Sequence, residues 1–440
     1  MILDDVAEQV GRQVQAWTWE LGGWLDRVAR VFARPEPRVL LEQMTVGLLS
    51  PLPKKNGWTL AEAAGHAHPG RVQTFLCRGA WDAAALEAHV RDLVVETLGD
   101  DQDGVLIVDD TQIVKKGTKS VGVAPQHCGA TNQIENCQVI VMSAYARPTE
   151  RGGGHAFIGH RLYLPERWTK DPDRCRAAGI PNGVVFATKP RQAVELFQEA
   201  DDAGVGYGWI AADGGYGQYR EVRDWPTERS KRYVVAVPSS QPLAGVPPIP
   251  GTHGGAGQAG IRRADDLLAR ATRWERRSCG HGAKGERYWD WAFFTVTLPD
   301  EPPADGFTHT LMIRRSIADP CEVAYFLVHA PHATPTNAMV AVAGIRWRIE
   351  ECNEQGKDLI GLDQHQVRTW TAFHHHLVVC MFAHAFAATR KALLHASATR
   401  SNDTTGDTTG DTTDEGAHRG NGPVPSPTPQ RQRTTISGGN

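Results

Sequence analysis

The sequence lacks the features that mark several classes of protein. Its eight cysteines are scattered without a CxxC pair, a pattern typical of reduced, mostly buried thiols and not of a structural zinc site. No run of eighteen apolar residues is present, so we expect no membrane-spanning helix. The first residues, MILDDVAEQVGRQVQ, are acidic and amphipathic, whereas a secretory signal starts with a basic segment and an apolar core. We therefore expect a cytoplasmic protein.

A strong charge of either sign is also missing. The formal net charge is −3 over 440 residues. This balance argues against a uniformly basic surface, so any binding of nucleic acid must depend on local patches. The hydrophobic content of 41% and the charged content of 22% are those of a soluble globular protein. The length allows two or three domains.

Helical patterns dominate residues 1–99. Apolar positions recur with a helical period from Val6 to Val28, and shorter patterns follow, separated by the turns LLSPLPKKNGWT and AHPGRV. Short helices with Lys54, Lys55 and Arg71 at the turns could form a small DNA-binding module. An ordinary helical domain would give the same pattern, which is a weak signal in one sequence.

Residues 100–240 alternate between strand and helix patterns. Enrichment in β-branched and aromatic residues predicts five strands, at residues 105–108, 137–145, 156–163, 209–212 and 233–237. The segment RQAVELFQEADDAG predicts an amphipathic helix that ends at Gly204. The first strand leads into Asp110 and the fourth into Asp213. Three strands, a helix and a strand that ends in Asp is the order of a ribonuclease H-like α/β core, with a mixed sheet and flanking helices.

The remaining chain falls into three parts. Residues 241–335 are too many for a connecting loop and contain the strand-like segments YWDWAFFTVTL and THTLMIRRSI, so they predict an inserted, mainly β subdomain. Residues 336–392 predict the C-terminal helices of the core. Residues 393–440 carry an Asp-Thr-Thr-Gly repeat followed by Pro and Ser, so we expect a disordered tail there.

Within the C-terminal helices, one predicted helix face carries charges at spacings of four, four and three, on Arg346, Glu350, Glu354 and Lys357. Alone, such a face is most often a solvated row of ion pairs. Combined with Asp110 and Asp213, however, Glu350 gives three carboxylates from two strand ends and one helix. Oxygen ligands of this kind suit divalent cations such as Mg²⁺, and two such ions can promote phosphoryl transfer.

At these residues the sequence resembles the DDE transposases of bacterial insertion sequences. The last spacing is similar to the Y-R-E-K signature of their cut-and-paste branch, although Ala343 stands where that branch has Tyr. The sequence also resembles one subgroup of this branch from about residue 40 to about residue 388. The matching elements are Asp110 followed by Thr111, ADGGYG with Asp213, Arg346, Glu350 and Lys357, and the segments DDTQIVKKGTKSVGVAPQHCG, NCQVIVMSAYA, RLYLPERWTKD and GLDQHQVRTW.

The resemblance implies a function on DNA. It implies that Asp110, Asp213 and Glu350 hold two Mg²⁺ ions, with Mn²⁺ as a substitute. The enzyme would cut an insertion sequence at its terminal repeats, form hairpin ends and join the element to target DNA. Its partners would be double-stranded DNA at the transposon ends and the target, and a second copy of the chain, in a nucleoid-associated complex. Two alternatives stay open: a DNA-binding regulator that has lost catalysis, and a nuclease without strand transfer.

Individual residues have competing interpretations. Asp109 competes with Asp110 for the first ligand position, because adjacent strand residues point to opposite faces of a sheet. The family pattern, in which Thr follows the ligand, favours Asp110. Trp289 and Trp291 fit the buried face of a strand better than a base-stacking surface. Candidates for contacts with the DNA backbone, with a solvated charged surface as the alternative, are Arg346, Lys357, Lys115, Lys116, Lys119, Arg276 and Arg277.

Overall fold

The computed structural model describes residues 2–129, 131–148, 153–244, 262–282 and 285–405. The chain divides into two units, Met1–Ala396 and Ser397–Asn440. The fold described below is that of the first unit. Most of the predicted tail, residues 406–440, lies outside the described residues.

The N-terminal part of the chain is helical, in agreement with its sequence pattern. Its α-helices are α1 Ile2–Arg27, α2 Pro35–Leu49, α3 Gly57–Ala63, α4 Gly70–Arg78 and α5 Ala83–Leu98. Polar side chains define where the later ones begin. Asn56 accepts a hydrogen bond from the backbone N–H of Thr59 (3.2 Å) at the start of α3, and Asp82 accepts one from Ala84 (2.8 Å) at the start of α5. Leu41, Leu48 and Phe75 are buried where α2 and α4 pack.

A mixed sheet of ten strands forms the centre of the molecule. Its order is β2-β3-β1-β5-β6-β12-β11-β10-β9, with β4 paired to β3. β1, β5 and β6 run parallel to one another, and the other pairs in this sheet are antiparallel. The strands are β1 Asp100–Val114, β2 Ala124–Cys128, β3 Gln133–Ala146, β4 His155–Tyr163, β5 Tyr207–Ala212, β6 Arg232–Val237, β9 Glu275–Gly282, β10 Gly285–Val296, β11 Phe307–Arg315 and β12 Val323–Pro331, with β7 Pro242–Leu243 and β8 Arg262–Arg263 in a separate pair.

Five helices lie between β4 and β6: α6 Glu166–Thr169, α7 Pro172–Ala178, α8 Lys189–Asp202, α9 Gly214–Gly217 and α10 Arg220–Glu228. The start of α8 is fixed because the Thr188 hydroxyl accepts a hydrogen bond from the Arg191 N–H (3.2 Å) and Pro190 occupies the first turn. Its end coincides with Gly204, whose φ of +70° few other residues adopt. The sequence therefore predicts this helix and its end correctly.

The predicted insertion at residues 241–335 is rich in strands, but these strands do not form a sheet of their own. β12 pairs with β6 over Tyr325↔Val237 to His329↔Tyr233, and β11, β10 and β9 follow in turn. The inserted, mainly β segment therefore extends the central sheet. Pairing with β12 also satisfies the backbone N–H and C=O groups of β6, which would otherwise form an open edge.

The C-terminal segment is helical but not continuous. It contains α11 Thr336–Ile345, α12 Arg348–Gln355, a π-helical turn Gly356–Ile360 and α13 Trp370–Thr405. The predicted charged face is therefore divided, because Arg346 lies in the turn between α11 and α12 and Lys357 lies in the π-helical turn. α13 continues to Thr405, so the predicted disorder from residue 393 is wrong for residues 393–405. This stretch, LLHASATRSNDTT, begins with good helix formers that extend the buried helix before it.

α13 is the core helix of this part of the molecule. By length and composition its residues Trp370–Ala396 could cross a membrane, but 67% of the apolar window is buried inside the protein. Phe382 and Phe386 pack edge-on against Trp24 of α1, with ring centroids 5.6 and 5.5 Å apart. Burial against other helices explains its apolar composition.

Candidate functional site: carboxylates where two parallel strands separate

The candidate site begins where the parallel pairing of β1 and β5 ends, beside acidic residues of both strands. Val108 of β1 lies beside Ala212 of β5 in the parallel register. Asp109 and Asp110 follow on one strand and Asp213 follows on the other, so their backbones are adjacent. Asp213 also caps the short helix α9, because its carboxylate accepts a hydrogen bond from the Tyr216 N–H (3.2 Å).

Asp110 is surrounded by donors. The Lys189 ammonium at the start of α8 lies 2.7 Å from its Oδ2 atom, and the Tyr216 hydroxyl donates to the same atom over 3.2 Å. The Gln112 amide donates to its Oδ1 atom. Both oxygens of this carboxylate are thus engaged by side chains of the protein.

Asp109 precedes Asp110 on β1, where strand geometry directs adjacent side chains to opposite faces. Its Oδ1 atom accepts a hydrogen bond from the N–H of Asp110 (2.7 Å). Burial raises the pKa of Asp109 well above its ordinary value, the charges of Asp213 and Asp110 raise it further, and Arg346 opposes them. Asp109 therefore belongs to the same group of interacting carboxylates as Asp110.

Glu350 joins this group from α12. Arg346 donates a hydrogen bond to its Oε1 atom over 2.7 Å, one helical turn away. Burial raises the pKa of Glu350, and the charge of Asp213 adds to the rise, although Arg346 opposes it. The pKa of Asp213 is raised in the same way, by burial and by Asp110, against Arg346. Carboxylates whose ionised forms repel one another favour the binding of cations.

The described residues contain no group of three His, Cys, Asp or Glu side chains arranged as ligands of one metal ion. This arrangement still fits Mg²⁺, which usually takes one or two protein carboxylates and completes its shell with water and substrate phosphate oxygens. Lys189 and Arg346 already neutralise Asp110 and Glu350. The site therefore attracts cations, and protein ammonium and guanidinium groups satisfy part of that attraction.

The predicted DNA-binding lysines differ in position. Lys115 donates to the backbone carbonyls of His365 (2.8 Å) and Asp363 (3.3 Å), and burial lowers its pKa to about 8. It therefore links β1 to the loop after α12. Lys116 and Lys119 are exposed, and Lys357 is half-buried. Within the described parts of the chain, these three lysines have no ion-pair partner.

Two of the predicted arginines, Arg276 and Arg277, line a basic cavity of about 540 Å³ between β9 and α11, which Arg287 and Arg348 also line. Arg276 pairs with Asp290 (3.1 Å), and Arg277 pairs with Glu275. In the neighbouring strand β10, Trp291 is fully buried and Trp289 is covered by the Arg314 guanidinium at 4.1 Å. The prediction of a buried position is confirmed for Trp291, whereas Trp289 is only half-buried and packs against the core.

Two contacts of Asp110 were not predicted from the sequence. Lys189 is separated from Asp110 by 79 positions, and Tyr216 by 106. Lys189 stands beside an evident helix start, between Thr188 and Pro190. No spacing rule connects a helix start to a strand end so far away, so the fold alone brings them together.

Comparison with known proteins identifies the family of the chain. The model of a family described as DDE superfamily endonuclease matches residues 27–291, which is more than half of the 440 residues. A probable transposase for insertion sequence element IS701 from Microchaete diplosiphon is 26% identical over 286 residues, covering 64% of this chain and 68% of that protein. The piggyBac transposase in a synaptic complex with hairpin DNA, a solved structure, is 11% identical with a TM-score of 0.38, covering 86% of this chain and 74% of that one. The chain belongs to the DDE superfamily endonucleases, as a DDE transposase of the bacterial insertion-sequence type.

Proposed function

We propose that this transposase cuts an insertion sequence at its terminal repeats and joins it to target DNA by two-metal phosphoryl transfer. The observation that carries the proposal is the convergence of Asp110 and Asp213 directly after the last parallel pair of β1 and β5, Val108↔Ala212. Two electrostatic effects support the assignment of α12 to the same site: Arg346 lowers the pKa values of both Asp213 and Glu350, and the charge of Asp213 raises that of Glu350.

Asp110, Asp213 and Glu350 would hold two Mg²⁺ ions, with Mn²⁺ as a substitute. When bound, such ions stabilise the attacking and the leaving oxygen of an in-line displacement at phosphorus. The surrounding protein keeps these carboxylates in place. Arg346 orients Glu350, the α9 backbone orients Asp213, and Tyr216 orients Asp110. Loss of hydrogen bonds of this kind to metal ligands commonly lowers metal affinity or activity by about 10- to 100-fold.

The reaction starts with water attacking the phosphodiester at the end of the element, which breaks the bond to the 3′ oxygen and frees a 3′ hydroxyl. In the proposed hairpin route, that hydroxyl attacks the opposite strand. A second water then reopens the hairpin, and the released 3′ hydroxyl attacks target DNA. Each step exchanges one phosphodiester oxygen for another, so the same carboxylates serve all of them.

The fold supports this proposal at a larger scale. β4, β3 and β1 are antiparallel neighbours, followed by α8 and the parallel strands β5 and β6, which is the order expected of a ribonuclease H-like core. The helices α2 to α4 would grip the end of the element. Five basic groups would follow the DNA backbone: the exposed Lys116, Lys119 and Arg276, and the half-buried Lys357 and Arg277. Arg346 would reach phosphate beside Glu350, and Lys115 would hold the loop behind it.

The experiment that tests the proposal uses labelled DNA carrying the end of the protein's own element. The full chain is incubated with Mg²⁺, alongside Asp213→Asn and the surface control Asp173→Asn, whose carboxylate is 87% exposed on α7. We expect nicking at the element boundary, a hairpin band and strand transfer for the wild type and the control. All three products should be absent for Asp213→Asn and after EDTA treatment.

Other outcomes would assign a different function. Binding to the end without cleavage by the wild type would indicate a regulator that has lost catalysis. Cleavage without any joining to target DNA would indicate a nuclease. Cleavage that persists in Asp213→Asn would contradict the assignment of the carboxylates.

A further inference from the structure

Lys189 occupies a position that the proposed reaction does not yet use. It is the first residue of α8, and its Nζ atom lies 2.7 Å from Oδ2 of Asp110. The Asp110 side chain is only 13% exposed, whereas the Lys189 side chain is 42% exposed. The ammonium group therefore reaches the carboxylate from the solvent side.

The other partners of Asp110 are held in place. Tyr216 is 3% exposed and fixed in the α9 turn. Gln112 is tied at its other end, because its Oε1 atom accepts a hydrogen bond from the Gly129 N–H (3.2 Å). A cation that binds Asp110 must displace a donor from one of its oxygens. Among these three partners, Lys189 has the most freedom to move.

A divalent cation and an ammonium group cannot share one carboxylate oxygen without strong repulsion between them. Once displaced, the Lys189 side chain stays at the N-terminal end of α8, a helix of 14 residues. That end favours anions, since its free N–H groups and the helix dipole present positive charge. A phosphate of the DNA strand cut at Asp110 is the anion expected there.

We propose that Lys189 is a resident counter-ion of Asp110. Its ammonium group neutralises Asp110 in the metal-free protein. A divalent cation then displaces this group from the carboxylate, and the displaced ammonium contacts a phosphate oxygen of the bound DNA. This inference rests on the proposed function, because it requires Asp110 to be a metal ligand. It makes Lys189 a group that lowers metal affinity in the free enzyme and raises cleavage in the complex.

The test measures Mn²⁺ binding to the DNA-free full chain by electron paramagnetic resonance of the unbound ion. Lys189→Gln and Lys189→Met remove the charge, Lys189→Arg keeps it, and Lys170→Gln removes a lysine from an exposed ion pair with Glu166 on α6. We expect the two neutral variants to bind Mn²⁺ about fivefold more tightly, the factor that corresponds to losing a competing exposed ion pair. Lys189→Arg and Lys170→Gln should bind Mn²⁺ as the wild type does.

Thermal unfolding and cleavage complete the test. The neutral variants should gain more thermal stability from Mn²⁺ than the wild type gains, yet cleave end DNA more slowly at saturating Mn²⁺. Unchanged or weaker Mn²⁺ binding by folded Lys189→Gln and Lys189→Met would overturn the counter-ion role while leaving the proposed function intact. If the wild type binds no more Mn²⁺ than Asp213→Asn does, the metal site itself fails, and the inference fails with it.

Discussion

At the scale of single residues, the adjacent carboxylates of Asp109 and Asp110 compete for the first metal-ligand position. Strand geometry sends the two carboxylates to opposite faces, yet both interact with Asp213. Three side chains donate hydrogen bonds to Asp110, and a bound cation with its water ligands could take the place of such a donor. Asp109, by contrast, accepts a hydrogen bond from the backbone N–H of the next residue.

We therefore expect Asp110→Asn to abolish end cleavage and Asp109→Asn to reduce it only partly. The loss for Asp110→Asn should exceed the roughly 10- to 100-fold that is common for residues outside the ligand set. Cleavage rates at saturating Mg²⁺ measure this, with circular dichroism to establish that both variants fold. A reversed order of the two rates would assign the first ligand position to Asp109.

Lys115 gives a prediction about pH. Burial lowers its folded pKa to about 8 from an ordinary value of 10.5, so the folded protein releases this proton at a lower pH than the unfolded chain does. The unfolded chain then binds more protons between about pH 8 and 10.5, and linkage makes the contribution of Lys115 to stability rise with pH in that window. The slope is at most about 1.4 kcal/mol per pH unit.

Urea unfolding of the wild type and of Lys115→Met at pH 7.5, 9 and 10 checks this prediction. The free energy of unfolding of the wild type should rise relative to that of the variant as pH increases. Lys116→Met, which removes an exposed neighbour, serves as the control and should show no such trend. A constant difference between wild type and Lys115→Met would mean that Lys115 titrates as an ordinary lysine.

Sequence patterns locate residues well when local structure decides their position. Asp213 follows a strand whose apolar run is evident, so its place at a strand end is predictable. Lys55 was predicted at a DNA-facing turn, but it is 5% exposed and donates to the carbonyls of Leu48 and Leu359. That burial depends on a partner more than 300 positions away, which no local pattern contains.

At the scale of elements, the segment after α12 departs from the regular helix that the charge spacing up to Lys357 predicts. The π-helical turn Gly356–Ile360 ends at Gly361, whose φ is +77°. A Cβ atom there would lie 2.8 Å from Cβ of Lys55. The close approach joins the loop between α2 and α3, which contains Lys55, to the end of the π-helical turn that contains Lys357.

Gly361→Ala should therefore destabilise the protein by about 1–3 kcal/mol, from the left-handed backbone and the contact with Lys55. Gly183→Ala is the matched control, because an added Cβ there meets nothing within 4 Å, and it should change stability by less than about 0.5 kcal/mol. Denaturant unfolding measures both. Equal stabilities of the two variants would mean that the junction adapts without strain.

The sheet illustrates the same limit on a larger element. All five strands predicted for residues 100–240 lie within β1, β3, β4, β5 and β6. Their neighbours could not be predicted, since β6 pairs with β12 across a long insertion. Strand propensity depends on local residue types, whereas strand order depends on burial and edge pairing in the complete fold.

At the scale of the whole molecule, one chain provides one cluster of carboxylates in its described residues, but an insertion sequence has two ends. A complex that cuts both ends at once would therefore need at least two chains, most simply a symmetric pair. The formal net charge of −3 leaves little general attraction to DNA. Binding of two paired chains to the two specific ends would then bring two active sites to one element.

Mixing wild type with inactive Asp213→Asn in equal amounts tests this arrangement. If each chain cuts one end of a random pair, double-end excision should fall to about one quarter, because about one pair in four contains two active chains. If one chain cuts both ends alone, excision should fall only to about one half. Gel analysis of a plasmid carrying both ends separates the two values, with Asp173→Asn in place of Asp213→Asn as the control that should cause no loss. A fall to one half would contradict the proposed homodimer and would require each chain to process two ends in succession.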